Sequence, residues 1–515
     1  MTERAASAPP GADGGDIAAL AKGGRTNFLG FLLRLAARLP FLFIAGRLYG
    51  ADALGRFASA LVVVELIALV CSIGEKRGLA QRLSEGDGER PANLIADGML
   101  VAIAISLAAA GILYLFPMPL FPSGQYTELD RLIVLAIPGY ALTEIVLAAQ
   151  AYRSDIATTV RARAIVEPWT ISILAGAFYL LGPVRQSGLS MAYLASIYAG
   201  LAAALWPFFR TYGLPQDWTP NPGRMARMTW RALPLAAADA IEWGTRRIDI
   251  FILGLFAAPA AVGIYYVAQQ VASLPQKLKT SFEPILGPVI TRALKDKDFQ
   301  AIAKQVCQVG FWITAAQAGI ALALGIPGEA IMGLVGPNFV AGTAALAFLL
   351  AAEVVAATAV VSEAALVSVA RFRNLMVSIA TIGRQAALTL AAMLAVHAYG
   401  LPEPWRAAGA ALALMVALGV SSLVKAVMLS RILGERVNNW RWPLLWAAAA
   451  AIVVGQLVVR MPEWAELIFG IPAILAVYGW IIWRRGFGPE DRVLFRRSKS
   501  MATVPSPSTA PPDLR

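Results

Sequence analysis

Histidine and cysteine are almost missing from this sequence, which has one His and two Cys in 515 residues. The lone His397 sits at the end of an apolar run and reads as an interfacial hydrogen-bonding side chain, so no catalytic residue is assigned. No metal site and no cofactor site are read. Cys71 and Cys307 lie in apolar or helix-start contexts, which excludes a disulfide framework and leaves them as small apolar residues. No G-x-x-x-x-G-K-[ST] occurs, and GPNFVAG from Gly336 is too short and lacks the lysine, so the chain does not hydrolyse ATP through a phosphate loop. The first two dozen residues have neither the apolar core nor the cleavage site of a signal peptide.

Apolar residues make up 58% of the chain, and the mean hydropathy is +0.64, well above a soluble protein. Apolar runs of about 20 residues mark about 14 membrane spans. They are 26–49, 53–75, 93–117, 130–152, 165–182, 188–210, 233–256, 260–290, 304–327, 343–369, 375–397, 406–431, 443–461 and 464–484, numbered here as spans 1 to 14. The fold class is therefore an all-α polytopic membrane protein. The net charge of +12 does not indicate nucleic acid, because about 30 of the 44 Lys and Arg fall on one side of these spans and about six on the other. Loops such as EKRGLAQRLSEGDGER and TRALKDKDFQAIAK form the basic side, which the positive-inside rule places in the cytoplasm with both termini. Links on the opposite side are short, YGADAL and FAAPAAV among them, and leave no room for a soluble domain. Trp230, Trp440, Trp442, Trp464 and Trp483 lie near span ends, as interfacial anchors do.

An internal repeat organises the spans. FIAGRLYGADALGRF from Phe43 aligns without gaps on FILGLFAAPAAVGIY from Phe251, matching Gly46 with Gly254, Gly55 with Gly263 and Phe57 with Tyr265. The shift carries odd spans onto odd spans, so the halves share one orientation and are related by an axis along the membrane normal. This divides the chain into a disordered tail (1–25), an N-lobe of spans 1 to 6 (26–210) and a cytoplasmic linker (211–232). A C-lobe of spans 7 to 12 (233–431), spans 13 and 14 (443–484) and a basic disordered tail (485–515) follow.

Span 7 contains ADAIEWGTRRIDIFILGLF, with Asp239, Glu242, Arg246, Arg247 and Asp249 inside the apolar run. About ten strong apolar residues favour insertion by roughly 0.3–0.6 kcal/mol each. Each charge at mid-membrane costs roughly 2.5–3.5 kcal/mol, so the charges win and this helix borders protein or water. At about 100° per residue, Asp239, Glu242, Arg246 and Asp249 share an arc of about 80°, with Arg247 to one side. Span 1 repeats the pattern with Arg34 and Arg38 one turn apart, and the repeat sets Arg38 on Arg246, across a central aqueous cavity. Other charges inside spans are Glu65, Glu144, Glu353 and Glu363, read as coupling or structural acids, and Arg384 and Lys425, read as lining the second lobe. Glu144 and Glu353 occupy nearly equivalent repeat positions, which suits a structural salt bridge as well as ion coupling.

The text RLYGADALGRFASALVVVELIALVCSIGEKRGLAQRL across spans 1 and 2 resembles the start of the bacterial polysaccharide (O-antigen type) flippases. RIDIFILGLFAAPAAVGIYYVAQQVASLP resembles the same pattern after span 7, and the likeness runs through spans 1 to 12. Those flippases belong to a superfamily with the multidrug and toxin extrusion antiporters and the lipid II flippases. The resemblance implies a transporter, not an enzyme, in the bacterial inner membrane. Its substrate would be a polyprenyl-pyrophosphate-linked oligosaccharide, and its other partners membrane lipids and the polysaccharide assembly machinery. A pyrophosphate matches guanidinium geometry, which makes Arg34, Arg38, Arg246 and Arg247 the expected ligands, with Asp239, Glu242 and Asp249 divided between neutralising them and lining the path. Residues 26–49 hold no carboxylate, whereas a cation antiporter is expected to place an acid there. A lipid II flippase shares the anionic substrate and the span count. A glycan polymerase or ligase would need a sizeable loop on the side opposite the basic one.

Overall fold

The structure, a computed structural model, describes residues 39–85, 90–153, 155–295, 298–438, 440–488 and 491. Every regular element among the described residues is helical. Of span 1 the part from Leu39 is described, closing in a π turn at Ala45–Tyr49. Span 2 is Gly50–Cys71, span 3 Pro91–Leu115, span 4 Asp130–Tyr152, and span 5 covers 156–180 through a π turn at Arg161–Val166. Spans 6 to 9 are Gly188–Tyr212, Pro222–Phe256, Pro259–Lys295 and Phe299–Gly325. Spans 10 to 14 are Thr343–Val369, Arg371–Ala398, Pro404–Leu433, Trp442–Val458 and Glu463–Gly486. Nine helical runs among the described residues are long and apolar enough to cross a membrane. One of them, Leu39–Cys71, holds two spans: Gly50, at φ 80° and ψ 179°, takes a backbone turn that a side chain would strain. Span 7 falls outside the nine, as its five charges require.

Helix starts follow the polar caps rather than the apolar runs. The span 7 helix begins at Pro222, not at 233, because the Asn221 side chain accepts from the amides of Gly223 and Arg224 at 3.0 and 3.2 Å and Pro222 suits a first turn. Half of the expected linker is therefore helix. Span 5 likewise begins at Ile156, where Asp155 accepts from the Thr158 amide at 3.1 Å, so residues read as the loop YRSDIATTVRARA enter the helix. Two short helices, Glu75–Glu85 and Gly328–Val335, complete the set.

Packing repeats as the sequence does. Span 2 packs on span 4 and span 8 on span 10; 3 on 4 matches 9 on 10, 4 on 6 matches 10 on 12, and 5 on 6 matches 11 on 12. Span 2 also packs on span 8, its own repeat mate, as helices beside a twofold axis must. The architecture is two six-helix lobes related by a parallel pseudo-twofold. Spans 13 and 14 pack on each other and on span 9, where the Tyr478 hydroxyl donates to the Ala315 carbonyl at 2.9 Å.

The apolar cores divide unequally. On the side opposite the basic loops, one core runs through both lobes, from Leu54 and Phe57 through Ile137 and Tyr193 to Tyr265, Phe339 and Leu414. Toward the basic side there are two. One belongs to the N-lobe, around Ile95, Ile145 and Phe208. The other belongs to the C-lobe with spans 13 and 14, around Ile313, Val361 and Ile474. The apolar cores are thus joined at one face and divided at the other, where the start of the span 7 helix still meets the N-lobe through an Arg224–Asp97 ion pair and the close approach of Gly74 to Leu235 and Ala236.

Residues 485–488 and Asp491, read from composition as part of a disordered tail, are in place. Asp491 is buried and accepts from Arg441 Nη1 at 2.7 Å, Trp312 Nε1 at 2.9 Å and the Gly488 amide at 2.9 Å. Burial pushes its carboxyl up, but the bonds from Arg441, Gly488 and Trp312 prevail and hold it below the usual carboxylate range. A depressed folded-state value stabilises the fold above the unfolded value and loses that contribution as pH falls through the folded one. Asp491→Asn is therefore expected to lower the thermal unfolding midpoint of the purified protein at pH 7. The gap to the parent should close only below about pH 4; a gap independent of pH would contradict the assignment.

Candidate functional site

Burial is interrupted at matching depths in spans 2 and 8. In span 2 the buried run Leu61–Val64 ends at Glu65; in span 8 the buried run Tyr265–Ala268 ends at Gln269. Both residues are only partly buried, and the joint core resumes beyond them at Ala68 and Cys71 in span 2 and at Ala272 in span 8. On the C-lobe side this level is furnished by span 7. Arg247 Nη1 donates to Gln269 Oε1 at 3.2 Å, and Gln269 Nε2 donates to the Arg246 carbonyl at 3.2 Å. Arg246 lies 3.6 Å from Glu242 one turn away, with the two side chains 35% and 53% exposed. An open pair at that distance is weak, so the Arg246 guanidinium keeps most of its capacity for an anion.

The other charges of span 7 do not share that face. Asp249 is fully buried and accepts from the Tyr265 hydroxyl and from the Ile250 amide at 2.9 Å, inside the joint core. Asp239 is also buried. The expected single wet arc is corrected to two surfaces, because span 7 is bracketed by spans 2, 8 and 11 and part of its polar stripe meets protein. Periodicity marks a polar stripe but does not distinguish water from a polar neighbour. Arg34 and Arg38 lie outside the described residues, and with them the expected pairing of Arg38 with Arg246.

Arg384 and Lys425 do not join Arg246. Arg384 Nη2 donates to Thr381 Oγ1 and to the Ala417 carbonyl, both at 3.3 Å, tying span 11 to span 12. Lys425 is buried, with Nζ 3.0 Å from Glu363 Oε2 and 3.4 Å from Ser378 Oγ, while Asn374 Nδ2 donates to Glu363 Oε1 at 3.4 Å. These bonds fasten spans 10, 11 and 12 together inside the C-lobe. Glu353 is buried in span 10.

In the N-lobe, Glu144 meets a partner that the sequence reading passed over. Arg163 bridges Glu144 of span 4 and Glu167 of its own helix, the latter at 2.8 Å, and lies 4.4 Å from the Tyr140 ring centroid. The span boundaries read from the sequence leave Arg163 ahead of span 5, which starts there at 165; Asp155, the aspartate before the helix, is the sign of its true position. Gln269 carries no charge and escapes a search for charges inside spans, and Tyr265 enters the sequence reading only as the repeat mate of Phe57. In the N-lobe, Arg163 thus holds two carboxylates, Glu144 and Glu167, and Glu65 is a further partly buried carboxylate in span 2.

Comparison with known proteins agrees with this architecture. Residues 188–317 match the family model described as "Polysaccharide biosynthesis protein", a segment that takes in spans 6 to 8 and holds Arg246, Arg247 and Gln269. No curated protein sequence matches the chain significantly. The fold is similar to an inward-facing multidrug resistance MATE family transporter of the MOP superfamily, with a TM-score of 0.65 and 15% identity over 80% of this chain and 98% of that one. It is also similar to a MATE transporter of Vibrio cholerae in the bent form (TM-score 0.55, 14% identity, 82% and 98% covered). A MOP superfamily transporter from Pyrococcus furiosus, described as having a binding pocket of reversed polarity that suggests a different function, aligns with a TM-score of 0.57 at 13% identity over 82% and 96%. Family model and fold agree with the resemblance read from the sequence: this is a multi-pass membrane protein with a fold like that of MOP-superfamily transporters, and its residues 188–317 carry the likeness to polysaccharide-biosynthesis proteins.

Proposed function

We propose that the protein is a flippase that moves a polyprenyl-pyrophosphate-linked oligosaccharide from the cytoplasmic to the periplasmic leaflet of the bacterial inner membrane, for surface polysaccharide synthesis. The observation that carries the reading is the position of Arg246 and Arg247. They lie in the segment matched by the polysaccharide family model, beside the partly buried Gln269 of span 8, and Arg246 is only loosely paired. With the basic side in the cytoplasm, the face with separate cores is the entry and the face with the joint core is the closed exit. A pyrophosphate entering there would meet a planar guanidinium able to hold two of its oxygens at once, while the polyprenyl tail stays in lipid between the lobes. Rocking of the lobes about the joined face then exposes the headgroup to the other side. The chain forms and breaks no bond in this scheme; delivery to the assembly machinery on the far side would draw the cycle forward.

One observation supports a second reading. Two carboxylates on one arginine in the N-lobe, Glu144 and Glu167 on Arg163, with a further partly buried carboxylate, Glu65, in span 2, suit a cation antiporter of the multidrug type, or a cation that drives the flippase. In that case Glu65→Gln abolishes export and removes its dependence on an imposed ion gradient, while substitution of Arg246 is tolerated.

For the flippase, Arg246→Ala is expected to abolish surface glycan display with normal protein levels in the membrane, and Arg246→Lys to restore part of it, because charge survives and two-point geometry does not. Full display by Arg246→Ala and Arg247→Ala alike contradicts the proposal. Depletion should trap lipid-linked oligosaccharide in the cytoplasmic leaflet; trapped lipid II with arrested wall synthesis would identify the lipid II flippase instead.

A further inference from the structure

We infer that the four glycines recurring in the internal repeat, Gly46 with Gly254 and Gly55 with Gly263, form the closing surface where the lobes meet. On this inference, their missing side chains set how much of the population occupies this closed state. The inference concerns the contact between lobes and holds whatever headgroup is carried.

Gly55 in span 2 and Gly263 in span 8 cross each other backbone to backbone. A Cβ on Gly55 would fall inside the contact radius of the Pro259 carbonyl and 3.0 Å from the Gly263 nitrogen. A Cβ on Gly263 would fall inside that of the Ala51 carbonyl and 2.9 Å from the Gly55 nitrogen. Backbone cannot rotate aside as a side chain can. The other pair faces across the same seam. Gly46 of the N-lobe lies against the Val335 side chain, with a Cβ 2.8 Å from the Val335 carbonyl and 3.3 Å from Phe339; Gly254 of the C-lobe would bring one 3.2 Å from Ser59 Oγ. Beside it, Arg47 Nε donates to the Leu334 carbonyl across the lobes at 2.9 Å.

None of the four has a positive φ, so backbone conformation does not call for glycine. What glycine permits here is close approach, as small residues do between membrane helices generally. The seam is also separable: the four glycine contacts are van der Waals contacts with no interlocked side chain at Gly55 and Gly263. A methyl group at the crossing acts as a wedge against closure while leaving the parted state untouched.

The test is pulsed electron spin resonance on the full-length protein in nanodiscs. Cys71 and Cys307 are replaced by Ser, and labels are placed at Gln125→Cys and Tyr399→Cys, exposed links of the N-lobe and C-lobe on the joined face. The parent should show mainly a short distance. Overpacking of this severity predicts that Gly55→Ala and Gly263→Ala raise the ratio of long to short distances by about tenfold or more. Gly254→Ala should raise it less, since the Ser59 hydroxyl can turn away. Gly111→Ala, where a Cβ meets nothing within 4 Å, should leave it unchanged. Parental distributions in Gly55→Ala and Gly263→Ala, or an equal shift in Gly111→Ala, overturn the inference. If the crossing variants fail to accumulate, Gly254→Ala and Gly46→Ala decide: a parental distribution in both overturns it.

Discussion

Spans 2 and 8 touch through their backbones where Gly55 and Gly263 cross, and the crossing lies on the axis that relates the two halves of the chain. A contact on a twofold axis pairs each helix with its own image, so its closeness depends on both copies having the same small residue. Because no side chain intervenes, the joint core on that face is continuous from one lobe to the other, whereas on the basic face each lobe keeps its own core and the two meet through span 7, by the Arg224–Asp97 pair and the approach of Gly74 to Leu235.

Charge placement follows from that shape. In a bilayer an unpaired charge is costly, and several ionic groups among the described residues meet a partner. Arg163 with Glu144 and Glu167, and Lys425 with Glu363, cross-link helices within a lobe and hold it as a unit. Asp249 spends its acceptors on Tyr265 and its neighbouring amide inside the seam. Glu242 and Arg246 are left half open one turn apart, next to Gln269. The same helix therefore carries a sealed end that joins the lobes and a more open polar stretch.

Spans 13 and 14 stand outside the repeat. They cover span 9 of the C-lobe and build a core with it. The ordered residues after span 14 are drawn in by Asp491, whose ring of donors from Arg441, Trp312 and Gly488 fixes where the basic end of the chain leaves the helices.

The sequence by itself determined the membrane class, the fourteen spans, the parallel repeat and the glycines within it. Each of these depends on composition, run length or register, which are properties of neighbours along the chain. It placed charges on helix faces, because 100° per residue is also local, and so picked out Arg246 and Glu242. It did not show that Asp249 and Asp239 are sealed, that Lys425 belongs with Glu363, or that Arg163 lies inside a helix beside Glu144. Only tertiary structure decided those points: whether a polar stripe meets water, an ion partner or another helix depends on which helices pack against it, and that is fixed by contacts between residues far apart in the chain.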